Sequence, residues 1–145
     1  MSANQQRITE TLAEYWQAKR NNGRLPDEKD IDPSDLENIW DACFLVRYEE
    51  DDKFRYLFMG DDIIEALGDD LTGKEVCHKL VGELHDPLVE KFLPVLDADE
   101  PVYDESIFMN KKQMEIRYRM CMVPLLGEQA SRANYILGGM KWKAY

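Results

Sequence analysis

Met114-Glu115-Ile116-Arg117-Tyr118-Arg119-Met120-Cys121-Met122-Val123 is the stretch on which the fold of this chain turns. On an extended backbone Met114, Ile116, Tyr118, Met120 and Met122 share one side, and Glu115, Arg117, Arg119, Cys121 and Val123 share the other. It is the cleanest alternation in the chain, and a period of two predicts a strand with one face turned to a core.

The neighbouring segments extend the pattern. Pro101 to Met109 is β-rich but mixed, and a loop from Gly127 to Ala133 leads to a last strand, Asn134 to Lys143, that contains Gly138-Gly139. Upstream, Ala42, Phe44, Val46 and Tyr48 share a face, with Cys43, Leu45 and Arg47 opposite. After the charged turn Glu49-Glu50-Asp51-Asp52, Phe54, Tyr56 and Phe58 point one way and Arg55, Leu57 and Met59 the other. Two such runs joined by a short polar turn predict a hairpin.

Helical spacing appears in two places. At the front, Ile8, Leu12, Tyr15 and Trp16 form one apolar stripe, closed by the turn residues Asn21-Asn22-Gly23. In the middle, three short helices are expected. The first carries Ile63, Ile64 and Leu67, with Asp61 or Asp62 as its cap and Gly68 as its stop. The second follows Gly73 and carries Val76 and Leu80. The third opens at Asp86-Pro87 and carries Leu88, Val89, Phe92, Leu93 and Leu96. Pro94 must end or kink that third helix, because an interior proline costs about 3 kcal/mol. Between the leading helix and the first strand, Pro26 and Pro33 bracket an acidic linker. The order is helix, two strands, three short helices, three strands: an α+β domain with an antiparallel sheet covered on one face. Residues 1–38 are expected to be the N-terminal helix and acidic linker, and residues 39–145 the sheet domain.

The charge is segregated. The 145 residues carry 18 Lys and Arg against 29 Asp and Glu, a net of −11, which disfavours bulk attraction to nucleic acid or an anionic membrane. Residues 27–52 hold eleven acids against Lys29 and Arg47, a net of −9, while residues 110–145 hold seven bases against Glu115 and Glu128, a net of +5. Either the two segments neutralise each other on folding or they form an asymmetric docking surface. No apolar run reaches the roughly 18 residues of a membrane span and the N-terminus has no signal-peptide core, so a cytoplasmic protein is expected. The odd count of Cys43, Cys77 and Cys121 excludes a closed disulfide framework.

Landmarks in that order resemble a PAS domain, in particular the small single-domain PAS proteins of alphaproteobacteria. They are Tyr15-Trp16 with Arg20 or Arg24 and Pro26, then Asp30-Ile31-Asp32-Pro33; Phe54-Arg55-Tyr56 ending in Met59-Gly60; Leu67-Gly68 with Leu71-Thr72-Gly73-Lys74; and Arg117 and Arg119 leading to Val123-Pro124-Leu125 and Ile136-Leu137-Gly138-Gly139. Asp61 stands where that group often shows Thr. The resemblance implies a PAS-like five-stranded antiparallel sheet with short helices on one face and an extra N-terminal helix. It implies a pocket between sheet and helices, a sensory or signalling role without catalysis, and dimerisation through a leading helix.

Within that frame Phe44, Phe58, Ile63, Leu67, Phe92, Tyr118 and Met120 are the expected surround of any small-ligand site, although alternating core residues would look the same. Leu12, Tyr15 and Trp16 pack on their own sheet or, with slight preference, on a second subunit as a homodimer. Arg117 and Arg119 either face solvent or meet an acidic protein partner. His85 is the one candidate haem ligand, with an exposed loop histidine as its plain reading. Cys77-His78 neighbours diverge on a helix, so no metal site is expected. Cys43 and Cys121 read as small sheet residues, and the Asn-Cys-Arg-Phe motif of flavin-binding light sensors is absent. No GxSxG, P-loop or HExxH occurs, so the chain is read as a non-enzyme. No cofactor is expected; a small unknown ligand, a protein partner, or both are, with output delivered in trans because the chain ends directly after its last strand. The alternatives are a haem-binding PAS sensor and a small α+β cone-type enzyme using an Asp and a His on an apolar substrate.

Overall fold

The computed structural model describes residues 8–76, 88–127 and 132–145. The alternating segments form β1 (Cys43–Tyr48), β2 (Phe54–Met59), β3 (Val102–Met109), β4 (Glu115–Leu126) and β5 (Ala133–Ala144). The helices are α1 (Ile8–Lys19), α2 (Asp61–Leu67) and α3 (Leu88–Phe92). One five-stranded sheet of order β2-β1-β5-β4-β3 results, with every pairing antiparallel. The β1–β2 hairpin and the β3–β4–β5 meander are separate local units, and β5 joins them by lying beside β1.

Local chemistry explains most boundaries. Four successive acids turn the first hairpin, with Asp51 and Asp52 at φ 59° and 58°. Asn110, buried and polar, builds the β3–β4 turn: its Oδ1 accepts the backbone N–H groups of Lys112 and Met114, each at 2.9 Å. Its Nδ2 donates to the Ala66 carbonyl at 3.1 Å, pinning that turn to α2. Met114 therefore belongs to the turn and is exposed, contrary to its expected place on the inner face of the strand. α3 ends at Phe92, and Pro94 sits in the first turn of the 3-10 segment Leu93–Asp97, where its missing N–H costs nothing.

The short helices cover one face of the sheet, as expected, and the N-terminal helix covers part of the other. The inner face (Phe44, Val46, Tyr118, Met120, Met122) packs against α2, α3 and the 3-10 segment. The outer face (Cys43, Cys121, Val123, Leu125, Leu137) packs against Leu12 and Trp16 of α1, with Leu36 and Ile39 of the acidic segment. Leu12 and Trp16 are fully buried within their own chain, which corrects the preference for a contact with a second subunit. The indole N–H of Trp16 donates to the Pro124 carbonyl at 2.8 Å. β3 pairs with β4 only as far as Met122, so Pro124, with no N–H to give, lies beyond the end of that ladder. Tyr15 lies at the margin, donating to Asp35 at 2.9 Å and accepting from the Asp32 N–H at 3.0 Å.

Other expectations change for equally local reasons. Gly60, not Asp61 or Asp62, is the N-cap of α2, and the two carboxylates stand in its first turn. Gly68 closes that helix at φ 82°, donating its N–H to the Ile64 carbonyl. Residues 73–76 are not the start of a helix. They run along β2, with Tyr56 N–H donating to the Lys74 carbonyl and Val76 N–H to the Phe54 carbonyl. Leu80 and Asp86-Pro87, together with Cys77, His78 and His85, lie outside the described residues. No helix among the described residues is long and apolar enough to cross a membrane.

Candidate functional site: an inner cavity and an open sheet face

Phe44 from β1, Ile63 and Leu67 from α2, Phe92 from α3, and Tyr118 and Met120 from β4 converge on one apolar cavity. Six of the seven residues expected around a ligand are thus brought together. Phe58 is not among them. The β1–β2 ladder pairs Leu45 with Phe58 but Val46 with Tyr56, so Leu57 is an extra residue in the bulged strand. A one-residue insertion reverses the side-chain alternation beyond it. Tyr56 stays inside, whereas Phe58 crosses to the outer face and stacks on Trp40 with ring centroids 4.5 Å apart.

Tyr56, Leu88, Phe108 and Met140 complete the cavity wall. Strand alternation points to Tyr56 and Met140 and the stripe of the third helix to Leu88, whereas Phe108 carries no signal beyond being apolar. The free volume is about 30 Å³, room for about one water, and the wall is almost wholly apolar.

One lining residue, Tyr118, belongs to a polar triangle that sequence reasoning missed. Lys91 Nζ donates to Asp104 Oδ2 at 2.9 Å and to Tyr118 Oη at 2.7 Å, and Tyr118 Oη donates to Asp104 Oδ2 at 2.8 Å. Lys91 and Asp104 are largely shielded, with side chains 19% and 24% exposed. The triangle ties α3 to β3 and β4 through the Tyr118 phenol, and neither Lys91 nor Asp104 lines the cavity. Its members come from three elements and share no motif, so no sequence pattern marks them.

The outer face divides into a covered and an open half. Under α1, Cys43 and Cys121 flank Gly139 in one row across β1, β5 and β4. Burial pushes both thiols up to about 12; the proximity of Cys121 adds to the rise at Cys43, and a hydrogen bond from Tyr103 opposes it at Cys121. A thiol protonated at neutral pH and buried under a helix does not react as a nucleophile. In a Cys77→Ser background, the native protein is expected to resist alkylation near pH 8, and labelling should appear only at the rate of unfolding. Prompt labelling of either residue would show that α1 opens locally.

Beyond α1 the face is open. Arg117 and Arg119 of β4 are exposed, as a docking surface would need. Lys143 lies directly opposite Arg117, and Lys141 directly opposite Arg119. Arg117 pairs with Glu115 at 2.8 Å and lies over the Tyr145 ring, while Arg119 pairs with Glu105 at 3.2 Å. Leu12, Tyr15 and Trp16 stand apart from this patch, so the five expected partner-surface residues do not form one surface. Among the described residues no three His, Cys, Asp or Glu side chains group to hold a metal ion.

A protein-family model described as a PAS domain matches residues 4–141. No curated protein matches the chain. Among solved structures, a light-oxygen-voltage domain studied with a flavin analogue is 16% identical with a TM-score of 0.58, covering 76% of this chain and 82% of its own. The fungal photoreceptor Vivid is 14% identical with a TM-score of 0.54, covering 90% and 91%. A blue-light activated histidine kinase of Erythrobacter litoralis is 19% identical with a TM-score of 0.54 over 71% of this chain, which spans only 33% of the kinase. At these identities the likeness is one of fold.

Proposed function

The chain belongs to the PAS domain family, and from that premise we propose that it is a non-catalytic sensory domain that binds a small apolar molecule in its inner cavity and relays the event to a protein partner in trans. The observation that carries this reading is the cavity: an almost wholly apolar wall between the sheet and two short helices. Ligand sites of this kind pair a largely apolar lining with a few placed polar groups. Here Tyr118 is the lining residue whose phenol, bonded to Lys91 and Asp104, would meet a ligand's polar end.

The size of the cavity restricts the ligand. About 30 Å³ admits no drug-sized molecule until side chains withdraw. Met120 and Met140 are the pliable part of the wall, since an unbranched thioether side chain repacks at low cost. A flavin of the kind studied in the light-oxygen-voltage neighbour does not fit this cavity. Its rings are far larger than the free volume, and the described lining offers no cysteine for a covalent adduct.

Native mass spectrometry of the purified protein tests the reading. A small mass retained by the wild type should be lost in Ile63→Trp, which fills the cavity from α2. A wild type that carries no added mass, and whose melting temperature moves with no small apolar acid or phenol, would remove the ligand from the proposal and leave protein contact alone.

A further inference from the structure

Two departures from ordinary sheet chemistry, opposite in sign, stand at opposite ends of the strands. At one end Arg117, Arg119, Lys141 and Lys143 form a two-by-two block of cations on the outer face, like charges directly opposite one another. Such pairs weaken a ladder. Two carboxylates answer the arginines, but Lys141 and Lys143 have no ion pair among the described residues. The block lines an open groove of about 620 Å³ that also contains the exposed side chains of Ile107 and Tyr145 and the carboxylates of Asp62, Glu65 and Glu105. An incoming acidic tip is therefore expected over the lysines, which have no carboxylate partner among the described residues.

At the other end is the β1–β2 hairpin tip. The Arg55 and then the Arg47 guanidinium hold Glu49 below the usual carboxylate range. Glu50, Asp51 and Asp52 have no ion pair among the described residues and are exposed. Asp51 and Asp52 both adopt positive φ, at positions where a hairpin ordinarily takes Asn-Gly. The acids therefore occupy a turn that neutral residues would close more easily.

We propose that these ends dock on each other between copies of this chain: the Glu50-Asp51-Asp52 tip of one molecule seats in the groove over Lys141 and Lys143 of the next, beside Arg117 and Arg119. Arg47, beside the tip, pairs with Tyr135, and eight strand positions separate Tyr135 from Lys143, so the ends lie about 26 Å apart at roughly 3.3 Å per residue. That exceeds the Debye length of about 10 Å at 0.1 M salt. Neither end cancels the other within one molecule, and an approaching tip meets the local cations rather than the net charge of −11. The contact joins unlike surfaces, so it is a heterologous one. It goes beyond the sensory reading and needs no ligand, so its failure leaves that reading intact.

Sedimentation equilibrium at about 100 mM and about 500 mM salt tests the contact. The wild type should show a mass above that of one chain, rising with concentration, at the lower salt only. The double variants Lys141→Glu/Lys143→Glu and Asp51→Lys/Asp52→Lys should each remain single chains with unchanged circular dichroism. An equimolar mixture of the two should associate, because each now complements the other. A wild type that stays a single chain at low salt overturns the proposal; if it instead binds polyglutamate at the groove, the occupant is an acidic segment of another protein. Association that survives both reversals overturns it equally.

Discussion

Trp16→Ala is expected to lower the unfolding free energy by about 3–5 kcal/mol, the range for truncating a fully buried large aromatic. The side chain is completely shielded, and its indole N–H is the hydrogen-bond donor to the Pro124 carbonyl. Removing it leaves a cavity under α1, an acceptor without that partner, and the Arg20 guanidinium without the ring 5.0 Å beneath it. The decisive feature is concentration. Every group that Trp16 meets lies in its own chain, so the loss should be the same across a hundredfold range of protein concentration. Urea titrations at about 500 mM salt, where contacts between charged surfaces are screened, make that measurement. A loss that shrinks on dilution would mean that α1 is anchored by a second molecule.

Gly60→Ala should cost about 3 kcal/mol, at the upper end of overpacking. The backbone at Gly60 has φ −67° and ψ 160°, which any residue adopts, so the requirement for glycine is one of space. A Cβ there would stand 2.3 Å from the Asp41 carbonyl oxygen and 2.6 Å from that of Trp40. Those atoms belong to the backbone entering β1 and cannot rotate away. The Gly60 N–H also donates to the Cys43 carbonyl, so a shift at residue 60 breaks the last rung holding β2 to β1. Since α2 starts immediately afterwards, the substitution should loosen the cavity wall as well. Denaturant unfolding reads the cost, and a variant as stable as the wild type would show that the crossing of these two backbones is not tight.

Much of the fold was legible because its determinants are close together in sequence. The period-two runs at 43–48, 54–59 and 115–123 are strands, and the acidic turn between the first two closes a hairpin. Pro94 ends α3 within two residues of where its missing N–H requires. Six cavity residues were legible for the same reason, since each sits at an apolar position of a regular element whose inner side the strand alternation or the helical stripe marks. Phe58 shows where this logic stops. Its side is set by the extra residue at Leu57, and that bulge exists only once β1 and β2 have chosen a register. The Lys91–Asp104–Tyr118 triangle was illegible for a related reason, because nothing in the spacing of 91, 104 and 118 indicates that α3 crosses above β3 and β4.

The alternation of residues 114–123 marks Arg117, Arg119 and Cys121 as one outer row, but it cannot say what lies above them. α1 covers the thiol, with Leu12 approaching Gly139 closely enough that a Cβ there would stand 3.2 Å from it. The same helix stops short of the arginines and leaves them open beside Lys141 and Lys143. By itself the sequence determined the element types, the inner and outer sides of the regular strands, and the separation of acid from base along the chain. The tertiary structure alone decided which of those sides are buried, where the side-chain phase reverses, and which like charges are brought face to face. The first set follows from backbone period and turn chemistry, which act within a few residues. The second depends on register and helix docking, which join residues far apart in the chain and are settled only when the whole sheet is assembled.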